Sequence, residues 1–318
     1  MKIAFFGLPV AALFLAGDGH EVVWAGICRS RAVGTRRLMR RIGHERVHVV
    51  PDASSDAVSA DVHGAHPDLV VSWFWTKRIP AHILRLAPSF GVHPSLLPRH
   101  RGPDPYFWAI DAGDETTGVT AHVLDEEYDT GAILAQRTLR LDPKWNAWRL
   151  ARALDRPSLE LLRDVTRAFA AGRPLAPHAQ AERMATMAPE PTEEDLALQW
   201  SWPADRIERR VRAAAPWPGA WTEIGDRIVT LVRVRATRDF PRALGAGEAA
   251  VRADGVAVVR AGDDAIELVE GRGEGEGRGE CDVPLSSGAL ARLVDAARTL
   301  SIARRPGLGF DSMKIRRL

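Results

Sequence analysis

Histidine 93 and aspartate 129 are the two residues whose type and surroundings point most directly to chemistry. His93 sits in Gly91-Val92-His93-Pro94-Ser95-Leu96-Leu97-Pro98-Arg99-His100-Arg101-Gly102-Pro103-Asp104-Pro105. Its prolines pin the backbone and suit a loop of defined shape. An imidazole exchanges a proton near pH 7. Asp129 closes Asp125-Glu126-Glu127-Tyr128-Asp129-Thr130-Gly131, an acidic turn between two predicted strands. A carboxylate there can orient a histidine, fix its tautomer or relay a proton through water. Ten histidines occur in the chain, so His93 gains its weight from the setting and not from its type.

The elements around these residues are those of an α/β protein. Lys2 to Phe6 is a short apolar run ending at Gly7-Leu8-Pro9; a helical pattern follows from Val10 to Asp18, and Glu21 to Ile27 reads as a second strand. Strand, helix, strand in that order predicts a parallel sheet. Asp68 to Ser72 and Phe90 to His93 are further strands, so His93 falls at a strand's C-terminal edge, where open α/β sheets take their ligands. Thr117 to Leu124 alternates as a strand, with Ala132 to Leu139 as its partner, and Trp145 to Gly172 reads as a long helix. A proline-rich linker or strap crosses Arg173 to Glu194. Pro203 to Ala215 is a helix, followed by short β-like runs with Gly and Asp turns that predict a small barrel. Gly271 to Gly279 is too rich in glycine for a regular element and reads as a loop. Ser286 to Leu300 is a final helix.

Composition sets the outer limits. The chain has 318 residues, 46% hydrophobic and 26% charged, enough for about two domains with real cores. Cys28 and Cys281 alone exclude a disulfide framework or a metal knuckle. His63 and His66 have no cysteine or patterned carboxylates beside them, so no metal is expected. No run approaches the about 18 apolar residues of a membrane span, and a cytoplasmic, monomeric protein without membrane contact is the expectation. Gly7-Leu8-Pro9 is not the three-glycine turn of a dinucleotide site. The net charge of +2 is mild, so only local arginine clusters carry meaning.

Val92 to Pro98 with Arg101-Gly102, then Gly118-Val119-Thr120, then Asp129-Thr130-Gly131, together resemble the formyltransferase family that uses 10-formyltetrahydrofolate. Downstream, Arg212-Ala213-Ala214-Ala215-Pro216-Trp217-Pro218-Gly219-Ala220-Trp221-Thr222 resembles the start of the C-terminal domain in the members that act on methionyl-tRNA. The resemblance runs along nearly the whole chain in the right order. It implies a Rossmann-like formyltransferase domain over residues 1–185, a linker over 186–202 and an OB-like β-barrel domain over 203–318. It implies transfer of a formyl group from 10-formyltetrahydrofolate to an amine, initiator methionyl-tRNA being the leading acceptor and an amino sugar or small-metabolite amine the alternative. A weakly active or inactive RNA-binding homologue is the further alternative.

Carried onto this sequence, the family's catalytic histidine and aspartate are His93 and Asp129. The position of its active-site asparagine is Gly91. The chain's one asparagine, Asn146, lies outside the motif. In a strand, residues 91 and 93 share a face, so the resemblance implies a missing amide donor beside His93, with room for water or a larger acceptor. Trp73, Phe74, Asp125, Glu126 and Tyr128 are the expected folate-contacting residues. Arg36, Arg37, Arg40 and Arg41, opposed only by Glu45, and Arg206 and Arg209 are the expected phosphate contacts to RNA.

Overall fold

The computed structural model describes residues 1–29, 31–50, 52–274 and 281–297. The chain divides into two compact units: residues 1–195 with 212–218, and residues 196–211 with the chain from 219 on.

The first unit runs β1 (Lys2–Gly7), α1 (Pro9–Gly17), β2 (Glu21–Ile27), α2 (Thr35–Ile42), β3 (Val47–Val49), α3 (Asp56–Gly64), β4 (Leu69–Trp73), α4 (Ala81–Leu84), β5 (Ser89–His93), α5 (Pro105–Asp111), β6 (Thr116–Val123), β7 (Ile133–Arg140) and α6 (Ala147–Ala170). Its seven strands lie in the order β3-β2-β1-β4-β5-β6-β7. The first five are mutually parallel, while β6 is antiparallel to β5 and β7 to β6. This is the Rossmann-like sheet that the sequence implied. The central strands β1 and β4 are buried on both faces, which is why they read as unbroken apolar runs. Pro9 and Pro105 start α1 and α5 at positions that need no N–H. Asn146 caps α6, its Oδ1 accepting from the Arg149 N–H at 2.9 Å.

The segment expected to be a linker is in part bound to this unit. Met187 bridges to Arg101, the Arg101 N–H donates to the Thr186 carbonyl at 2.8 Å, and the Ala188 N–H donates to the Arg101 carbonyl at 2.6 Å. Residues 178–189 thus form a strap laid across the loop that follows β5.

The second unit holds α7 (Glu193–Leu196) at its boundary, the start of α8 (Ala204–Ala214), and β8 (Ala220–Ile224), β9 (Arg227–Thr237), β10 (Ala249–Val251), β11 (Ala257–Arg260), β12 (Ala265–Glu274), β13 (Cys281–Ser286) and α9 (Ser287–Ala297). The strands form an antiparallel sheet in the order β10-β11-β12-β9-β8, with β13 on β12. The glycine-rich run departs from the sequence expectation. Gly271 to Glu274 continues β12, paired with β9 on one side and β13 on the other. A Cβ at Gly271 would stand 2.9 Å from the Thr230 carbonyl oxygen, so the close strand approach itself asks for glycine. The remainder of that run and the end of the final predicted helix lie outside the described residues.

Candidate active site

His93 is the last residue of β5, and the antiparallel neighbour β6 sets what surrounds it. Gly91 lies opposite His122 across the β5–β6 ladder, and Ser72 of β4 lies opposite Gly91 on the other side. Residues directly opposite each other share a face, so Ser72, Gly91 and His122 form a row across three strands, with His93 one step along.

Two imidazoles meet one carboxylate here. His93 Nδ1 is 3.4 Å from Asp129 Oδ2, and His122 Nε2 is 3.4 Å from Asp129 Oδ1. The two rings stand edge to face, 6.5 Å apart at 82°. Each histidine turns its other nitrogen to a backbone carbonyl: His93 Nε2 to His100 O at 2.8 Å, and His122 Nδ1 to Val123 O at 2.9 Å. A carbonyl only accepts, so those nitrogens carry the protons. Both rings are buried, at 6% and 3% exposure. Burial pushes the His93 imidazole below its ordinary pKa, against the pull of Asp129 and the His100 carbonyl, so the ring is neutral near pH 7. Its Nδ1 lone pair then faces the carboxylate, and a proton taken there is met by a negative charge. Burial alone would push the Asp129 carboxyl up. The neighbouring His93 and His122 and the Gly102 N–H, which donates to Oδ2 at 2.8 Å, outweigh burial and hold it well below the usual carboxylate range. Asp129 takes φ +55°, a left-handed conformation that short acidic side chains tolerate.

The strap ties the two loops of the site together. His100 N–H donates to Thr186 Oγ1 at 2.9 Å. The Arg101 guanidinium, 4% exposed, donates to Gln180 Oε1 through Nε at 3.0 Å and Nη2 at 2.7 Å, and also reaches Glu182. Gln180 Nε2 donates in turn to the carbonyls of Asp129 and Gly131, both at 2.7 Å. One glutamine therefore links the loop that fixes His93 to the loop that carries Asp129.

The expected residues divide into those the fold brings together and those it does not. His93, Asp129 and Gly91 converge. Gly91 has no spare room: a Cβ there would stand 2.8 Å from Leu124 Cδ2 and 3.3 Å from His122 Nε2. That corrects the expectation of space for water or a larger acceptor. Trp73 does not join that face. One residue beyond Ser72 on a strand, it faces the other side of the sheet, and its indole N–H donates to Ser158 Oγ of α6 at 3.1 Å. Phe74, at φ +54°, stacks on Trp73 with centroids 4.1 Å apart. Asp125 and Glu126 are exposed, and the Asp125 carboxylate accepts from Thr130 Oγ1 at 2.8 Å. Tyr128 lies under the Arg78 guanidinium at 5.1 Å. The aromatic side chains on the Gly91 face are others: Phe6, Trp24 and Trp75 cluster with Val70 and Leu124. The indole N–H groups of Trp24 and Trp75 are buried without a partner.

Arg36, Arg37, Arg40 and Arg41 ride on α2, and the last three line a groove with Leu13 and Gly17 of α1. Arg41 Nη2 donates to the Ala16 carbonyl at 3.1 Å. In the second unit Arg206 lies over the Trp202 ring at 4.0 Å, and Arg209 pairs with Asp205 at 2.6 Å. Among the described residues no group of three metal-binding side chains comes together, and no helix is long and apolar enough to cross a membrane.

His122 and Gln180 are the residues that the sequence reading missed. Alternation along β6 would have put His122 on the buried face with Thr120, but only the β5 register shows that it meets Gly91.

A neutral buried histidine at the C-terminal edge of β5, beside a carboxylate held ionised, is a pair that can take up a proton and stabilise the charge that results. Comparison with known proteins shows the family. The formyl transferase family matches residues 37–166, and the formyl transferase C-terminal domain matches residues 191–279. A methionyl-tRNA formyltransferase of Anaeromyxobacter dehalogenans (strain 2CP-C) is 35% identical over 291 residues, covering 86% of this chain and 93% of its own. One from Chloroflexus aurantiacus (strain ATCC 29366 / DSM 635 / J-10-fl) is 32% identical over 284 residues, covering 85% and 91%. Among solved structures, HypX from Aquifex aeolicus in complex with tetrahydrofolic acid shares the fold with a TM-score of 0.62 at 20% identity, over 91% of this chain but 46% of its own. An N-formyltransferase from Helicobacter canadensis, in complex with folinic acid and dTDP-3-aminofucose, has a TM-score of 0.62 at 13% identity, over 84% and 98%. The chain belongs to the formyl transferase family, and it is a formyltransferase.

Proposed function

We propose that the enzyme transfers the formyl group of 10-formyltetrahydrofolate to the amino group of methionyl-tRNA. The observation that carries this reading is the 35% identity to a methionyl-tRNA formyltransferase over 86% of the chain, which takes in the second unit as well as the first. The residues present suit a folate. The cluster of Phe6, Trp24, Trp75 and Leu124 offers an apolar wall beside Gly91, and the two unpartnered indole N–H groups are donors for the carbonyl and ring nitrogens of a pterin.

When bound, the folate supplies the formyl carbon; proton handling falls to the chain. The attacking amine must shed a proton. His93 Nδ1, unprotonated in the resting ring, is the acceptor, and Asp129 at 3.4 Å stabilises the imidazolium that results. The His100 carbonyl fixes the tautomer that leaves Nδ1 free. Gly102 holds Asp129 in place through its N–H. The arginines of α2, which carries no acidic residue, are suited to the phosphates of the RNA.

The test is formyl transfer from labelled donor with pure protein and three acceptors: methionyl-tRNA, a nucleotide-linked amino sugar and free methionine. Tetrahydrofolate release that depends on methionyl-tRNA is expected. Release with the amino sugar alone would overturn the assignment of the acceptor. His93→Ala and Asp129→Asn should each abolish turnover, and a His93→Ala protein that still turns over at the wild-type rate would remove His93 from the chemistry.

A further inference from the structure

His93 can take a proton at Nδ1 only while its own proton stays on Nε2. Two acceptors compete for that proton. Asp129 carries a charge, and an ionised acceptor makes the stronger bond at equal distance. The His100 carbonyl wins by position: it stands 2.8 Å from Nε2, while Asp129 Oδ2 is 3.4 Å from Nδ1 and already accepts from the Gly102 N–H. The direction of that carbonyl therefore keeps Nδ1 unprotonated, and it depends on an unusual backbone. His100 takes φ +59°, a left-handed conformation that is disfavoured by a factor of about 5–30 for a residue with a Cβ. Such a conformation persists only where the surroundings hold it.

We propose that Asp114, acting through the His100 side chain, is a positioning residue for His93: it locks the left-handed turn that aims the His100 carbonyl. This rests on the role of His93 in the formyl-transfer reading above and adds a residue that the reading did not contain. Asp114 follows α5, and its N–H donates to the Ala109 carbonyl at 3.1 Å, which fixes it to the helix end. Its Oδ2 accepts from His100 Nε2 at 2.7 Å, and its Oδ1 accepts from Arg99 Nη2 at 2.5 Å. Burial would push the Asp114 carboxyl up; the bonds from His100 and Arg99 outweigh burial and hold it below its ordinary range, so a charged acceptor faces the ring. That bond needs one proton, on His100 Nε2, in either charge state of the imidazole. His100 is 4% exposed and its Nδ1 is buried without a partner, so the bond to Asp114 is the ring's polar anchor among the described residues. Thr186 holds the peptide groups on either side, its Oγ1 accepting from the His100 N–H at 2.9 Å and its carbonyl from the Arg101 N–H at 2.8 Å. Those acceptors are uncharged; the bond to the Asp114 carboxylate is the stronger hold.

The experiment compares wild type with Asp114→Ala, His100→Ala, His100→Gly and the double variant Asp114→Ala with His100→Gly. It reads kcat, urea unfolding, and ¹⁵N-edited spectra of the His93 ring in the resting protein. Wild type should show the His93 proton on Nε2. In Asp114→Ala and His100→Ala the proton should move toward Nδ1, and kcat should fall about 5–30-fold. His100→Gly also loses the anchor, but glycine takes the left-handed turn at no steric cost, so it should keep at least about fivefold more kcat than His100→Ala. Placed in the Asp114→Ala protein, His100→Gly should recover most of the lost kcat and return the His93 proton to Nε2. A staple that merely stabilises the loop predicts the opposite order, because glycine loses more freedom on folding than alanine. A His93 proton on Nδ1 in wild type, an Asp114→Ala protein with wild-type kcat and spectrum, or a His100→Gly protein no better than His100→Ala overturns the inference. Should Asp114→Ala fail to fold, the wild-type spectrum and the comparison of His100→Gly with His100→Ala decide it. Wild-type protein that turns over none of the three acceptors overturns the proposed function instead; the spectra need no acceptor and still test the positioning.

Discussion

Gln180 is the side chain whose removal should cost most for its size. It lies on the strap, 9% exposed, and uses its whole amide. Its oxygen accepts two bonds from the buried Arg101 guanidinium, and its nitrogen donates to two carbonyls of the Asp129 loop. A bond to a charged group is worth about 1.5–3 kcal/mol and a neutral one about 0.5–1.5 kcal/mol. With the two bonds that share one oxygen taken as a single charge-assisted interaction and the two neutral bonds taken separately, Gln180→Ala loses about 2.5–6 kcal/mol; Glu182, the other partner of Arg101, is a 71% exposed carboxylate that compensates weakly. The same change releases the carbonyl of Asp129. A displacement of about 1 Å in a reacting group costs on the order of 10² in rate, so kcat should fall by about that factor. Gln180→Glu separates the two effects. It keeps an acceptor for Arg101, now as an ion pair, but presents a carboxylate where two N–H donors stood. Its stability should fall less than that of the alanine variant, while its kcat falls as far. Urea unfolding followed by tryptophan fluorescence, steady-state kcat, and hydrogen exchange at the Gly102 amide, which is bonded to Asp129, read the three consequences. A Gln180→Ala protein within about 1 kcal/mol of wild type, with an equally protected Gly102 amide, would refute the view that this glutamine joins the two loops.

Further expectations follow from the same geometry. Gly91→Asn in the wild-type background should lower stability by about 1–3 kcal/mol, the range for an overfilled site, because its Cβ would meet Leu124 at 2.8 Å and His122 at 3.3 Å; a tenfold rise in kcat at unchanged melting temperature would contradict it. Asp104 caps α5, and burial pushes its carboxyl up to about 6. The folded state therefore binds a proton that the unfolded chain has released, and stability falls as pH rises from about 4 to about 6, by up to about 1.4 kcal/mol per pH step. His93, pushed down by burial, tilts the curve the other way below its ordinary value, so the measured quantity is the difference between wild type and Asp104→Asn, which should lose the Asp104 slope; parallel curves would show that Asp104 is not raised. Arg40→Glu with Arg41→Glu should weaken transfer-RNA binding and flatten its dependence on salt, with folate affinity unchanged; equal salt slopes would take α2 out of the RNA contact.

Much of the fold was legible because it rests on local rules. Central parallel strands are buried on both faces and read as apolar runs, as Lys2 to Phe6 and Asp68 to Ser72 do. The edge of β5 could be found from Phe90 to His93, and the rigid proline-bearing loop and the acidic turn marked His93 and Asp129 by type and context. The rest depended on pairing between distant segments. Trp73 and Trp75 have equal claims as folate neighbours in the sequence; the face of β4 turned Trp73 toward Ser158 and left Trp75 beside Leu124. The glycine-rich run looked unable to hold a strand because intrinsic preference is all a sequence displays, whereas β9 and β13 supply hydrogen bonds on both sides of β12. A glutamine in a proline-rich strap carries no periodic signal, so Gln180 became visible only against Arg101 and Asp129. The sequence by itself determined which residue types were present and that position 91, two before His93, is a glycine. Only the antiparallel register of β5 and β6 decided that His122 stands beside that glycine, because a strand's own alternation sets which face a side chain takes, and the partner strand sets what it meets there.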